Sequence, residues 1–301
     1  MDKKSLLSVH LAVLLFGTSG VFIKIIPMSA LLLTLGRGIF SALALYAFIH
    51  FREYSLRLER LRDYFWNLLA GIFLAMHWFL FIMSIQISTV SIGTITFATY
   101  PLFVVFLEPY VFKEKFQLKN LLNVVMIAIG IAFLIPAFEL NNATTLGILY
   151  GLGSSFCFAI LSIINRRLAA LYDSVVITLY EQTVAACLMT ILISIIKPTV
   201  HEGTVLDFFH LIIYGVVFTG LAHSLYIQGL KGIKAQTASI ISVLEPVYSI
   251  VLAIVFLQER MSYQEMIGTF IIFVTVMIAT LQNSVDEKNI KSISNEMDFK
   301  V

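Results

Sequence analysis

Along this chain, apolar runs alternate with short polar breaks. Most runs are near the length of about twenty residues that an α-helix needs to cross a bilayer. The pattern predicts ten helices, over Leu6–Ile26, Met28–His50, Trp66–Ile87, Ser91–Phe112, Leu121–Phe138, Thr145–Asn165, Ser174–Ile196, Phe208–Leu230, Ala235–Phe256 and Glu265–Leu281. The longest break, Phe51–Phe65, carries seven charged residues, and no break has room for a soluble domain.

The second half of the pattern repeats the first. A displacement of 145 residues, without gaps, lays Ile82–Phe116 on Ile227–Met261, with Pro101 on Pro246, Glu114 on Glu259, Lys115 on Arg260, Ile95 on Ile240 and Leu107 on Leu252. Each copy holds an apolar run ending in a polar turn, a second run with proline near its middle, and a Glu–basic pair. Each half contains five runs. Five is odd, so the second half starts from the opposite face of the membrane, the inverted repeat of secondary transporters, whose binding site lies near the midplane between halves. The expected fold is an all-α integral membrane protein of ten transmembrane helices in two inverted five-helix repeats. The repeats cover residues 1–140 and 141–283, followed by a polar tail at 284–301 expected to be disordered.

Composition agrees. Of 301 residues, 59% are hydrophobic and 13% charged, against about 25% charged in soluble domains. Lys3 and Lys4 before Leu6–Phe16 imitate a secretory signal, but the apolar run continues to Ile26 without a clean cleavage site, so it reads as a retained first span. With the N-terminus inside, sixteen Lys and Arg fall on cytoplasmic segments and three (Lys24, Lys197, Arg260) outside. That bias fixes both termini in the cytoplasm, with the chain in the inner (plasma) membrane. A net charge of +2, with no polybasic cluster, offers nothing for nucleic acid. Cys157 and Cys187 lie in apolar runs as small side chains, with no disulfide framework and no zinc spacing. There is no His–Glu–x–x–His, nucleophile elbow or phosphate-binding loop, so neither catalysis nor a metal or cofactor is expected. The expected partners are lipid and a small-molecule substrate; the sequence also permits a homodimer.

Candidate chemistry lies in ionisable residues at membrane depth, which need a partner or a wet cavity. Glu245 stands about 15 Å into its span at 1.5 Å per residue. Pro246, which follows it, and Pro101 each remove a helix hydrogen bond and predict a kink. Arg37, between Gly36 and Gly38, must face protein or water; it either clamps a substrate anion or pairs permanently with Glu245 or Glu181. His77, beside Trp78, and His223 come within one residue of repeat equivalence, as packing residues or proton carriers. Glu181 lies about 10 Å from a cytoplasmic end. Stripes of small and polar residues mark helix faces that meet: Gly147, Gly151, Ser155, Phe158, Ser162 and Asn165; Ala238, Ser242, Glu245 and Ser249; Gly93, Thr96, Tyr100 and Phe103. Gly17–Thr18–Ser19–Gly20 either loosens the first helix or packs it closely. Glu108 reads as structural, and Glu114–Lys115 and Glu259–Arg260 as boundary markers. The substrate site is expected to draw on Glu245, Arg37, Tyr100, His77, Trp78, Tyr248, Glu181, Ser242, Asn165 and His223.

The stretch SVLEPVYSIVLAIVFLQERMS, with its weaker counterpart ATYPLFVVFLEPYVFKEKF, resembles the EamA type of the drug/metabolite transporter superfamily, and the likeness extends over residues 5–283. The resemblance implies export or exchange of small metabolites such as amino acids by alternating access; an organic-cation or drug carrier is the alternative, and a membrane-embedded transferase a remoter one. Tyr100 stands where the second copy has Glu245, so a symmetric proton site is not implied.

Overall fold

The structure, a computed structural model, describes residues 3–112, 119–134, 142–198, 204–232, 238, 241–242 and 244–278. Every element among them is helical: α1 (Lys3–Ile25), α2 (Ala30–Phe51), α3 (Leu61–Ile87), α4 (Val90–Phe97), α5 (Tyr100–Phe112), α6 (Lys119–Leu134), α7 (Ala143–Ala169), α8 (Ser174–Ile196), α9 (Val205–Gly215), a π-helical turn (Val216–Leu221) and α10 (Ala222–Gly232). α11 (Leu244–Leu257) and α12 (Tyr263–Ile278) complete them. Six helical stretches are long and apolar enough to cross a membrane, with α9, the π turn and α10 forming one of them, and four shorter apolar stretches accompany them. Glu114–Lys115 and the tail lie outside the described residues, as does the side chain of Glu108.

Local chemistry sets where helices start. Ser29, Thr89, Asn142 and Thr204 cap α2, α4, α7 and α9 with side-chain oxygens. Thr204 and Asp207 form a reciprocal capping box, so that helix begins at Val205, ahead of the expected Phe208. α3 likewise starts at Leu61 rather than Trp66, because the charged break is partly helical. Asp63 is therefore no solvated loop charge. It is buried, and its carboxylate accepts from the Tyr172 hydroxyl at 2.6 Å.

Two of the expected continuous spans are interrupted. Pro101 has no N–H for the carbonyl of Phe97, and the fourth span breaks between α4 and α5 at Ala98 and Thr99. In the eighth span, the backbone widens into the π turn at Val216–Leu221. Around Pro246, Val243 lies outside the described residues, while the Ser242 hydroxyl donates to the Ala238 carbonyl at 3.0 Å as it would in a helical turn.

Helices of the first half pack mainly on those of the second: α3 on α7 and α8, α2 on α8 and on α9 with its π turn, α1 on α10 and α11, and α4 on α7. Under the 145-residue displacement these pairs exchange. α1–α10 becomes α7–α3, α3–α8 becomes the packing of α9 and the π turn on α2, and α2–α8 maps onto itself. Such exchange is what a two-fold relation between halves produces. Close approach depends on small residues. A Cβ at Gly17 would lie 2.7 Å from that of Tyr248, one at Gly20 would lie 2.7 Å from a Val90 methyl, and one at Gly151 would collide with the Thr96 hydroxyl. α1 runs unbroken through Gly17–Gly20, so those glycines serve packing and do not loosen the helix.

Candidate functional site

Where α1, α2, α3, α4, α7, the π turn, α10 and α11 converge, a cavity is lined by Arg37, His77, Trp78, His223 and Glu245, with Phe16, Ser19, Phe81, Phe97, Phe158 and Thr219. Its room is about 30 Å³, far below the ~300 Å³ or more of a small-molecule site. The conformation is therefore closed around its polar groups.

Arg37 is almost wholly buried, at 3% exposure, and it is held by the second half of the chain. Its Nη1 donates to the Tyr214 hydroxyl at 2.7 Å and its Nε to the Thr219 hydroxyl at 2.9 Å. The guanidinium carbon sits 3.9 Å from the Trp78 ring centre and 4.5 Å from that of Tyr214, in cation–π contact with both. The π turn makes this possible. Thr219 donates to the Tyr214 carbonyl five residues back, at 2.9 Å, which leaves its oxygen lone pairs free for Arg37. Gly215 and Gly220 bring that turn against Phe40 and Ser41 of α2. Neither expected ion pair forms: Glu181 binds His223 instead, and Glu245 lines the cavity with no hydrogen-bond partner among the described residues. An arginine satisfied by neutral hydroxyls and aromatic faces keeps its charge available to whatever enters the cavity.

His77 sits among Phe81, Phe97 and Phe158, with ring centres 4.8–6.0 Å away. Its Nδ1 lies 3.2 Å from the Ser154 carbonyl and 2.7 Å from the Ser154 hydroxyl. A carbonyl only accepts, so Nδ1 carries the hydrogen and Nε2 the lone pair. His223 Nε2 meets Glu181 Oε2 at 2.8 Å, with both side chains buried. Glu181 thus stands one hydrogen bond behind the cavity wall.

The other expected residues are placed less directly. Tyr100 stacks on Phe97 at 5.4 Å and meets Phe158 edge-on at 4.9 Å, backing the cavity wall. Its buried hydroxyl has no hydrogen-bond partner among the described residues. Ser242 bonds its own helix, Asn165 is buried with an unpartnered Oδ1, and Tyr248 is partly buried against Gly17. None of these three is among the lining residues. Sequence reasoning missed Tyr214 and Thr219. Both are neutral, and only the π turn gives them a role.

Glu259 is more than a boundary marker. Gln258 takes a left-handed conformation (φ 55°) that ends α11, and the Glu259 carboxylate then accepts from Val90 N at 2.8 Å, Ser91 N at 3.2 Å and Ser91 Oγ at 3.0 Å. A second-half carboxylate thereby caps the first-half helix α4.

Comparison with known proteins follows the same lines. The chain is 23% identical over 269 residues to the uncharacterized transporter YxxF of Bacillus subtilis (strain 168), covering 87% of this chain and 85% of that one. It is 26% identical over 306 residues to the uncharacterized inner membrane transporter YicL of Salmonella typhimurium, covering 93% and 96%. A solved crystal structure superposes with a TM-score of 0.67 at 18% identity, over 94% of this chain and 98% of that one, which establishes the shared fold. The EamA-like transporter family matches residues 3–135 and again 145–281. The protein is thus a multi-pass membrane protein belonging to the EamA-like transporter family.

Proposed function

We propose that this protein is a secondary transporter moving a small zwitterionic metabolite, an amino acid foremost, across the inner membrane by alternating access. One observation carries the reading: Arg37 and Glu245 line the same cavity, and neither has an oppositely charged partner among the described residues. Burying an ionisable group without an ionic partner is costly, and a ligand bringing one carboxylate to Arg37 and one ammonium group to Glu245 gives each its counterpart. Trp78, Phe97 and Phe158 supply the apolar wall for its side chain. The cavity's small size supports a cycle in which the halves part to admit substrate, as does the exchange of helix contacts under the 145-residue displacement. Residues 1–140 and 141–283 would be the rocking units. The basic-residue bias supports cytoplasmic termini, and export is the direction expected from the resemblance noted above.

The aromatic lining favours one second reading, an organic-cation carrier using Glu245 and the rings without Arg37. Thermal-shift measurement of the purified protein against the amino acids and matched amines separates the two, since a ligand that binds the folded state stabilises it by mass action. Stabilisation by an amino acid, lost in Arg37→Gln and in Glu245→Gln, is expected. Equal stabilisation by the matched amine, untouched in Arg37→Gln, selects the cation carrier. A ligand indifferent to both substitutions overturns both readings.

A further inference from the structure

The 145-residue displacement also relates the cavity's own positions. It carries Arg37 onto Gln182, Trp78 onto His223 and Tyr100 onto Glu245. In the first half, then, a permanent cation lies on an indole ring. The second half fills the matching positions with a buried amide, next to Glu181, and a histidine. His223 Nε2 and Glu181 Oε2 are 2.8 Å apart, at 3% and 0% exposure.

The surroundings of this pair are unfinished as a structural hydrogen-bond network. Glu181 Oε1, both amide atoms of Gln182, Ser41 Oγ and Ser224 Oγ are buried without a hydrogen-bond partner among the described residues. Ser41 lies against Gly220 in the π turn and the Gln182 backbone lies against Gly38, while Gln182 and Ser224 follow Glu181 and His223 in their helices. Most buried side-chain polar atoms have a partner; Glu181 bonds through one oxygen only, to a histidine, the side-chain type that titrates near neutrality.

Around one cavity stand two buried carboxylates, Glu181 and Glu245, and one permanent cation, Arg37, which binds neither. Sharing the cavity with His223 are Arg37 on α2, His77 on α3 and Glu245 on α11, with Tyr214 of α9 against Arg37, while α7 gives the cavity only Phe158. The imidazole and the carboxylate, 2.8 Å apart, offer one place where a proton is shared between two groups that can both hold it.

We infer that Glu181 and His223 form a proton-binding site linked to occupancy of the transport cavity. This rests on the transporter reading above. Loading the pair adds positive charge on the side of the cavity that holds Arg37, and so raises affinity for an anionic group there. By linkage, ligand binding raises proton affinity in the same ratio.

The test has two arms. Infrared difference spectroscopy of the full chain in lipid, stepped from about pH 5 to about pH 9, reads carboxyl and imidazole protonation without any substrate. A titrating signal is expected that Glu181→Gln and His223→Gln each remove and Glu245→Gln retains. Should Glu181→Gln fail to fold, His223→Gln decides alone. Spectra of the folded variants identical to wild type overturn the proton site. In the second arm, the thermal-shift affinity of any stabilising amino acid is expected to be about tenfold higher at the acid end, and pH-independent in the Glu181→Gln protein. An affinity equally pH-dependent in wild type and variant overturns the link. If no amino acid stabilises the protein at any pH, the zwitterion reading falls while the infrared arm still decides the proton site.

Discussion

Substituting Glu259 by glutamine tests how the closed cavity is held shut. The carboxylate receives three hydrogen bonds from Val90 and Ser91 at the start of α4, and Lys24 Nζ secures the adjacent turn by donating to the Ser88 carbonyl at 2.8 Å. The Glu259 bonds join the second half of the chain to the first, while the Lys24 bond braces the receiving turn from within the first half. A hydrogen bond to a charged group contributes about 1.5–3 kcal/mol when buried. Glutamine keeps one acceptor oxygen and the site is only partly buried, so the net loss is about 2 kcal/mol. If the latch holds the closed state, that loss raises the population open at this end about thirtyfold. The assay places a single cysteine at Ser19, which lines the cavity, after Cys157 and Cys187 are replaced by alanine. Labelling by a water-soluble maleimide in proteoliposomes is then timed with and without Glu259→Gln. The expected result is labelling faster by about that factor, with unfolding stability lowered by no more than the ~2 kcal/mol of the lost contact. Rates agreeing within about a factor of two would refute the latch, because a 2 kcal/mol contact cannot be lost without a visible population shift.

Further consequences are open to simpler measurements. Tyr214→Phe keeps the ring over Arg37 but deletes its hydroxyl acceptor, and should cost about 1.5–3 kcal/mol in denaturant unfolding. Gly151→Ala drives a methyl into the Thr96 hydroxyl and should lose about 1–3 kcal/mol, whereas Gly153→Ala meets only a Leu80 methyl at 3.3 Å and should unfold like wild type. Tyr172→Phe removes the donor to Asp63 and the acceptor of Glu59 N at 3.0 Å. Trypsin should then cut the segment holding Arg57 and Arg60 faster, with the transport cavity unaffected.

Much of the architecture was legible because lipid imposes one strong rule, that spanning backbone pairs internally in apolar helices. The expected second span, Met28–His50, differs from α2 by two residues at one end and one at the other, and Ser29 marks its start chemically. Hydropathy was blind to backbone phase, however. The break at Ala98 and Thr99 and the π turn leave the apolar pattern unchanged, although Pro101 signalled the first of them. The same asymmetry holds at the site. Arg37, His77, Trp78, His223 and Glu245 stood out because ionisable groups and a neighbouring indole are conspicuous in apolar runs, and the fold brings all five to one cavity. Tyr214 and Thr219 did not, since a hydroxyl in a membrane helix usually bonds its own backbone, as Thr34 and Thr94 do. The pairing of charges was beyond sequence altogether: Arg37 lay open to Glu245 or Glu181, and it is held by neither. Tyr248 drew notice through its place on the proline-bearing helix, yet it faces α1 at Gly17 because close packing there needs the glycine.

The most direct measurement is counterflow of a labelled amino acid in proteoliposomes, run on wild type, Arg37→Gln and Glu245→Gln purified as folded proteins. Saturable exchange in the wild type, abolished by either substitution, is the predicted result. Exchange that persists in both variants, or a folded wild type that moves neither amino acids nor amines, would contradict a substrate site between Arg37 and Glu245.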